Sequence, residues 1–192
     1  MFMANLKGPL EAVLFVSGDP VSTQQLMDVL RVDRTTIEEL LEELSQQFDE
    51  RKSGLMLHKV AGGYQLVTRP EYFSYVEKLT QVIDKKLSAP TMETLSIIAF
   101  KQPITKQEIE HIRGVRIERA LAKLIELELI KEIGRKPVLG RPILYGTTEA
   151  FLKCFGLNDL QELPELPELE APEELDIEQL ELVENENRNK QE

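Results

Sequence analysis

Pro20-Val21-Ser22-Thr23-Gln24-Gln25-Leu26 recurs 83 residues later, without a gap, as Pro103-Ile104-Thr105-Lys106-Gln107-Glu108-Ile109. The same offset carries Leu14, Phe15 and Val16 onto Ile97, Ile98 and Ala99, and Val32 onto Val115. It also carries Leu41 and Leu44 onto Leu124 and Leu127. An internal repeat of this length means one structural unit used twice. Ser22 with Gln25, and Thr105 with Glu108, have the spacing of capping boxes, in which each side chain satisfies an orphan amide of a helix start. Val21 and Ile104 precede the caps and are placed to staple those starts. The pattern predicts a short helix over 22–30 and over 105–113, then a longer one over 34–50 and over 116–128.

After each longer helix the apolar period changes from 3.6 to 2. Leu55 to Val60 and Tyr64 to Thr68 flank Ala61-Gly62-Gly63, where glycine supplies the positive φ of a hairpin turn. Ile130 to Ile133 and Ile143 to Gly146 flank a longer loop punctuated by Gly134, Pro137, Gly140 and Pro142. A further helix is expected after each hairpin, over 70–80 and 148–155. Three helices and a hairpin, in that order, make a winged helix-turn-helix. The expected fold is therefore mainly α with small β-hairpins (α+β): two winged helix-turn-helix domains in tandem, with a disordered acidic C-terminal tail. The expected boundaries are 1–84, 85–157 and 158–192, with the joint at 83–89 and Pro90 opening the next helix.

Charge follows the same division. The 192 residues carry a net charge of -11, and Asn158 to Glu192 holds all of it. Residues 1–87 carry -3 and residues 88–157 carry +3. In the tail, Leu163-Pro164-Glu165-Leu166-Pro167-Glu168 has proline too often for a helix and too many like charges for compaction. A partner-binding segment through the leucines near Leu175 to Val183 is the other reading. No apolar run approaches the ~20 residues of a membrane span. The N-terminus has Gly8-Pro9 and Glu11 where an export signal needs apolar residues, so a cytosolic chain is expected.

The sequence offers little for catalysis. It has no phosphate-cradling glycine loop, so an ATPase would have to be a partner. Cys154 is the single cysteine, and His58 and His111 are the only histidines, one in each repeat. Neither a disulfide nor a metal site is expected, and no cofactor. His58 is expected to be structural, His111 a solvated surface residue, and Cys154 to pack in a core or at its rim. Glu38-Glu39 and Glu42-Glu43 have the spacing of a solvated helix face.

Longer strings in the second repeat resemble a known family. They are Met92-Glu93-Thr94-Leu95-Ser96-Ile97-Ile98-Ala99-Phe100-Lys101-Gln102-Pro103-Ile104-Thr105, Glu108 to Val115, Gly140-Arg141-Pro142-Ile143-Leu144-Tyr145-Gly146-Thr147-Thr148, and Phe151 to Leu157. With Glu11 to Phe15 and Gly62-Gly63-Tyr64-Gln65-Leu66, they look like bacterial segregation and condensation protein B (ScpB) over about residues 1–165. Departures fall at Ala89 to Met92, at Phe100 and at Arg116-Ile117-Glu118. The resemblance implies a kite subunit of the SMC–kleisin complex, without enzymatic activity. It implies a homodimer formed through the N-terminal domains that binds the middle region of the kleisin ScpA, and through ScpA the SMC ATPase. Its implied role is chromosome condensation and segregation during cell division, in a cytoplasmic, nucleoid-associated setting.

Two surfaces are expected to carry these contacts. Leu6, Leu10, Val13 and Leu14, beside Leu26, Leu30, Ile37, Leu40, Leu41 and Leu44, supply more apolar surface than one small core requires. The first four are the expected dimer interface. Arg116, Arg119 and Lys123, spaced by three and four, and Arg135, Lys136 and Arg141 in the second wing form a basic stripe. From this stripe Arg116, Arg119, Lys123, Arg135 and Arg141 are the expected partner-binding residues. The same layout fits a winged-helix DNA-binding regulator, the alternative reading. Against it, Glu38, Glu39, Glu42 and Glu43 would set four carboxylates toward phosphate in the first domain. The third helix of the second domain carries Glu118, Glu126 and Glu128 and lacks Asn or Gln for base readout. Weak non-specific DNA contact stays open.

Overall fold

A computed structural model of the chain describes residues 6–80 and 86–165. The first unit begins with α1 (Lys7–Ser17), which Gly18 ends at φ 65°. Next comes β1 (Val21–Ser22), then α2 (Thr23–Leu30) and α3 (Arg34–Glu50). The capping box closes at the start of α2. The Gln25 amide donates to Ser22 Oγ at 3.3 Å, and the Ser22 amide donates to Gln25 Oε1 at 2.9 Å. Asp33 caps α3 by accepting from the Thr36 amide at 3.0 Å, which holds its carboxyl below the usual range. Ile37, Leu40, Leu41, Leu44 and Phe48 recur at helical spacing along α3, and all five are buried.

The hairpin of β2 (Leu55–Val60) and β3 (Gly63–Thr68) turns at Ala61 and Gly62, both at positive φ. That is the backbone of a two-residue hairpin turn whose twist matches the strands. β1 pairs antiparallel with β3, giving sheet order β1-β3-β2. Gly63 opposes Ser22 there, and a Cβ at Gly63 would stand 2.9 Å from the Val21 carbonyl. A 3-10 turn at Pro70–Tyr72 leads into α4 (Phe73–Thr80).

The second unit repeats the plan: α5 (Ala89–Lys101), β4 (Ile104–Thr105), α6 (Lys106–Arg113), α7 (Glu118–Glu126), β5 (Ile130–Arg135), β6 (Ile143–Thr147) and α8 (Glu149–Phe155). Its sheet order is β4-β6-β5, with a bulge between Glu132 and Gly134. The Gln102–Pro103 peptide is cis. Gln102 fastens the end of α5 to β6: its Oε1 accepts from the Thr147 amide at 2.8 Å and its Nε2 donates to Thr147 Oγ1 at 3.0 Å. Thr94 is fully buried in α5, where its hydroxyl donates to the Pro90 carbonyl and accepts from Arg113.

Each unit has its own core. Leu10, Leu14, Leu26, Ile37, Leu40, Leu41, Leu44 and Phe48 fill the first. Leu95, Ile98, Ile109, Ile117, Leu124, Ile130, Tyr145 and Phe151 lie in the second. The mainly α, tandem winged helix-turn-helix architecture is the one expected. The paired strands β1 and β4 add to it, each turning a hairpin into a three-stranded sheet.

The units touch where the first wing meets the segment that follows α8. The first wing's turn donates from Ala61 N to the Leu157 carbonyl at 2.9 Å and from Gly62 N to the Asn158 carbonyl at 3.1 Å. Lys153 bridges to Asp19 at 2.8 Å beside them. Residues 158–165, counted with the tail by composition, hold a 3-10 turn at Leu160–Glu162, and Leu163 packs on the second core. The remainder of the expected tail, including the leucines near Leu175 to Val183, lies outside the described residues, as do residues 83–85 of the 83–89 joint.

Candidate partner-binding surfaces

The apolar surface of α1 is not the one its leucines suggested. Leu10 and Leu14 are completely covered by their own domain, and Leu6 and Val13 are half-buried against the same core. One stripe of a 3.6-residue period faces inward, and these four residues are that stripe. Leu26, Ile37, Leu40, Leu41 and Leu44 are likewise core, so they leave no surplus for a twin. The exposed apolar side chains lie off the stripe. Phe15 is 72% exposed and Val16 81%, with Val29 of α2 also exposed. Nothing in the periodicity marks Phe15 and Val16 out. Their signal is that they follow Leu14 without a polar residue between.

On α3, Glu38, Glu39, Glu42 and Glu43 are all exposed. Lys7 pairs with Glu43, and Arg34 reaches Glu38 at 3.6 Å. This leaves the helix that would enter a DNA groove acidic.

The second domain presents the opposite sign. Arg116, Arg119, Lys123, Arg135 and Arg141 are all exposed. Arg116 lies ahead of α7, so helical spacing does not relate it to the rest. Arg116 and Arg119 nevertheless share one recess of about 340 Å³, beside Pro90 and Thr91 of α5, with Arg113 at the end of α6. Lys123 is held by Glu126 at 2.8 Å, and Arg135 donates to the Arg141 carbonyl at 3.2 Å. Arg116, Arg119, Arg135 and Arg141 take part in no ion pair among the described residues.

Lys136, by contrast, is committed inside the domain. It donates to Glu108 Oε1 at 2.6 Å, while Glu108 Oε2 accepts from the Thr105 amide at 2.9 Å and the Thr105 hydroxyl at 2.7 Å. Lys136, then the Thr105 hydroxyl and amide, hold the Glu108 carboxyl down at about 2, well under its ordinary 4.5. Lys106, donating across 2.7 Å, also holds the Glu118 carboxyl below its ordinary value. Burial pushes the Tyr145 hydroxyl up. The basic stripe is thus partly spent on the fold, and four of its arginines stay outside any ion pair among the described residues.

The other chemistry-bearing residues lie apart. His58 is half-buried on β2 and His111 is exposed on α6. Cys154, expected at a core or rim, is exposed: α8 turns Phe151 inward and Cys154 three positions on faces out. Among the described residues no three His, Cys, Asp or Glu side chains gather as a metal site, and no helix is long and apolar enough to cross a membrane.

Two three-stranded winged helices in one chain, one acidic on its third helix and one basic around it, define a tandem winged-helix protein whose two units present surfaces of different charge. Residues 8–166 match the family described as segregation and condensation complex subunit ScpB, and the chain belongs to that family. Segregation and condensation protein B of Moorella thermoacetica is 48% identical over 161 residues, 84% of this chain and 83% of that one. The protein of the same name from Brevibacillus brevis is 42% identical over 179 residues, 92% of this chain and 90% of that one. Among solved structures, the chain is similar to a dimer of the ScpB N-terminal domain complexed with a ScpA peptide. The identity is 31%, covering 42% of this chain and 100% of that one, with a TM-score of 0.40.

Proposed function

We propose that this chain is a non-catalytic subunit of the SMC–kleisin complex: a homodimer that binds the middle region of the kleisin ScpA and reaches the SMC ATPase through it. The family match across the whole folded body carries the reading. In this proposal residues 1–84 dimerise, residues 85–157 hold the kleisin, and the protein works at the nucleoid in the cytoplasm.

The surfaces support it. Phe15 and Val16, with Val29 of α2 also exposed, give the dimer apolar side chains that the first core does not use. Arg116, Arg119, Arg135 and Arg141 give the kleisin unneutralised cations, so association is salt-sensitive. The DNA-binding regulator is disfavoured because the third helix of the first domain shows four carboxylates. Contact with DNA is limited to weak, non-specific attraction at the second domain.

Light scattering tests the reading, with the chain alone and with a middle fragment of the kleisin at physiological salt. A species of about 44 kDa, twice the 22.0 kDa chain, that takes up about one fragment per dimer is the expected result. A monomer that ignores the fragment overturns it. Arg116→Glu with Arg119→Glu should weaken the fragment and barely change affinity for duplex DNA. Loss of a tight, sequence-selective DNA complex in that variant would move the chain to the regulator class.

A further inference from the structure

The second domain carries an open apolar groove along α5 and α6. Ile112 of α6 stands at its centre, 47% exposed. On one side a cavity of about 620 Å³ is floored by Pro103 and Ile104 and edged by Lys101 and His111. On the other a cavity of about 610 Å³ is lined by Met92 and Ile97. Each is of a size that takes an apolar side-chain cluster. The carboxylates at its rim are already matched, Glu93 by Arg113 at 2.7 Å and Glu108 by Lys136 at 2.6 Å. Lys101 at the same rim makes no ion pair among the described residues. The groove is therefore apolar inside and carries an unneutralised cation outside.

The described chain ends beside it. Leu163, Pro164 and Glu165 pack near Ala99, Phe100 and Gln102, directly before the Pro103 that floors the first cavity. Beyond Glu165 the sequence includes Leu175-Asp176-Ile177-Glu178-Gln179-Leu180-Glu181-Leu182-Val183, apolar side chains set among carboxylates. That composition is the complement of the groove. From Glu165 to Leu175 the chain reaches up to about 35 Å at ~3.5 Å per residue. At ~1.5 Å per residue, α5 is about 20 Å long. The segment thus reaches any point of the groove, at a local concentration on the order of millimolar for a short tether.

We propose that Leu175 to Val183 docks in the α5–α6 groove of its own second domain, with apolar side chains in the two cavities about Ile112 and carboxylates toward Lys101. This docking requires nothing of the kleisin reading, and its test contains no kleisin.

The full chain has no tryptophan, so Ile177→Trp provides a single reporter. Compared with a free peptide of the same tail sequence, its emission should be shifted to the blue and its quenching by acrylamide reduced several-fold. Both changes should be independent of protein concentration. Adding Ile112→Glu should return both to the peptide values, while circular dichroism confirms the fold. Met92→Glu, in the other cavity, does the same should Ile112→Glu fail to fold. Peptide-like emission in the full chain overturns the docking. So does a blue shift that survives the groove variants, and so does one that grows with concentration, which places the segment on a second copy.

Discussion

At the third position of its second helix the first winged helix has Gln25, and the second has Glu108. Both side chains close a capping box of nearly the same geometry. Gln25 accepts from Ser22 N and Oγ, each at 2.9 Å, and stops there. Glu108 accepts the same two bonds and adds Lys136, reaching from the second wing. One unit thus caps its helix locally, while the other uses the cap to tie a helix to its wing. The sign of the surrounding surface differs too, acidic on α3 and basic around α7. The backbone plan repeats while the side chains on it have separated into two kinds of surface, so fold alone does not give both domains one function.

The sharpest test of the first domain's face divides two neighbours on α1. Leu14→Ala empties a completely buried position and should cost about 2–5 kcal/mol, read by chemical denaturation. Phe15→Ser, one residue on, should leave the stability of the monomer within about 0.5 kcal/mol while lowering the dimer fraction seen in light scattering. Should Phe15→Ser leave the dimer intact, the assembly face lies elsewhere. α4 would be the next candidate, with Tyr75 and Leu79 exposed.

A smaller effect separates the two sheets. Gly63 opens β3 and Gly146 lies near the end of β6, and a Cβ would meet different things at the two. At Gly63 it meets backbone, the Val21 carbonyl at 2.9 Å; at Gly146 it meets side chains, Gln102 Oε1 at 2.8 Å and Ile133 Cδ1 at 2.9 Å. Side chains rotate away more cheaply than a paired strand. Gly63→Ala should therefore cost about 1–3 kcal/mol and Gly146→Ala less, read from the two denaturation midpoints. Equal losses would mean that Gln102, fixed by its bonds to Thr147, is as unyielding as backbone.

These glycines also show what the sequence hides. The capping boxes were legible because their partners lie three residues apart, and the α3 stripe because Ile37 to Phe48 keeps one period. β1 and β4 were not legible: two residues cannot show alternation, and their pairing is decided by Tyr64 and Tyr145, some forty residues downstream. The expected dimer residues on α1 show a related limit. Periodicity identifies the apolar stripe of α1 but cannot divide it between a core and a twin, and Leu10 and Leu14 went to the core. The basic stripe was legible as composition and only partly as a site. The ion pair to Glu108 that removes Lys136 depends on the wing meeting a helix start in space, whereas the one to Glu126 that holds Lys123 is a local pair three residues apart on α7.

The finest difference between the two caps is their response to acid. The folded-state carboxyl of Glu108 titrates near 2, against an ordinary 4.5 in the unfolded chain. A depressed folded value means the ionised form favours folding. That contribution is complete above the ordinary value, declines as pH falls below about 4.5, and is gone once pH has passed through about 2. Glu108 and Lys136 are both partly exposed, so salt screens the pair and the effect is modest. Glu108→Gln copies the first domain's cap into the second: it keeps an oxygen for Thr105 and loses the charge for Lys136. Its melting temperature at low salt should lie below that of the unmodified chain at neutral pH, and the gap should close as pH falls from about 4.5 toward 2. The reciprocal Gln25→Glu has no wing cation to meet and should show a flatter pH response. A gap in Glu108→Gln that persists unchanged into acid would mean that hydrogen-bond geometry, not charge, distinguishes the two caps.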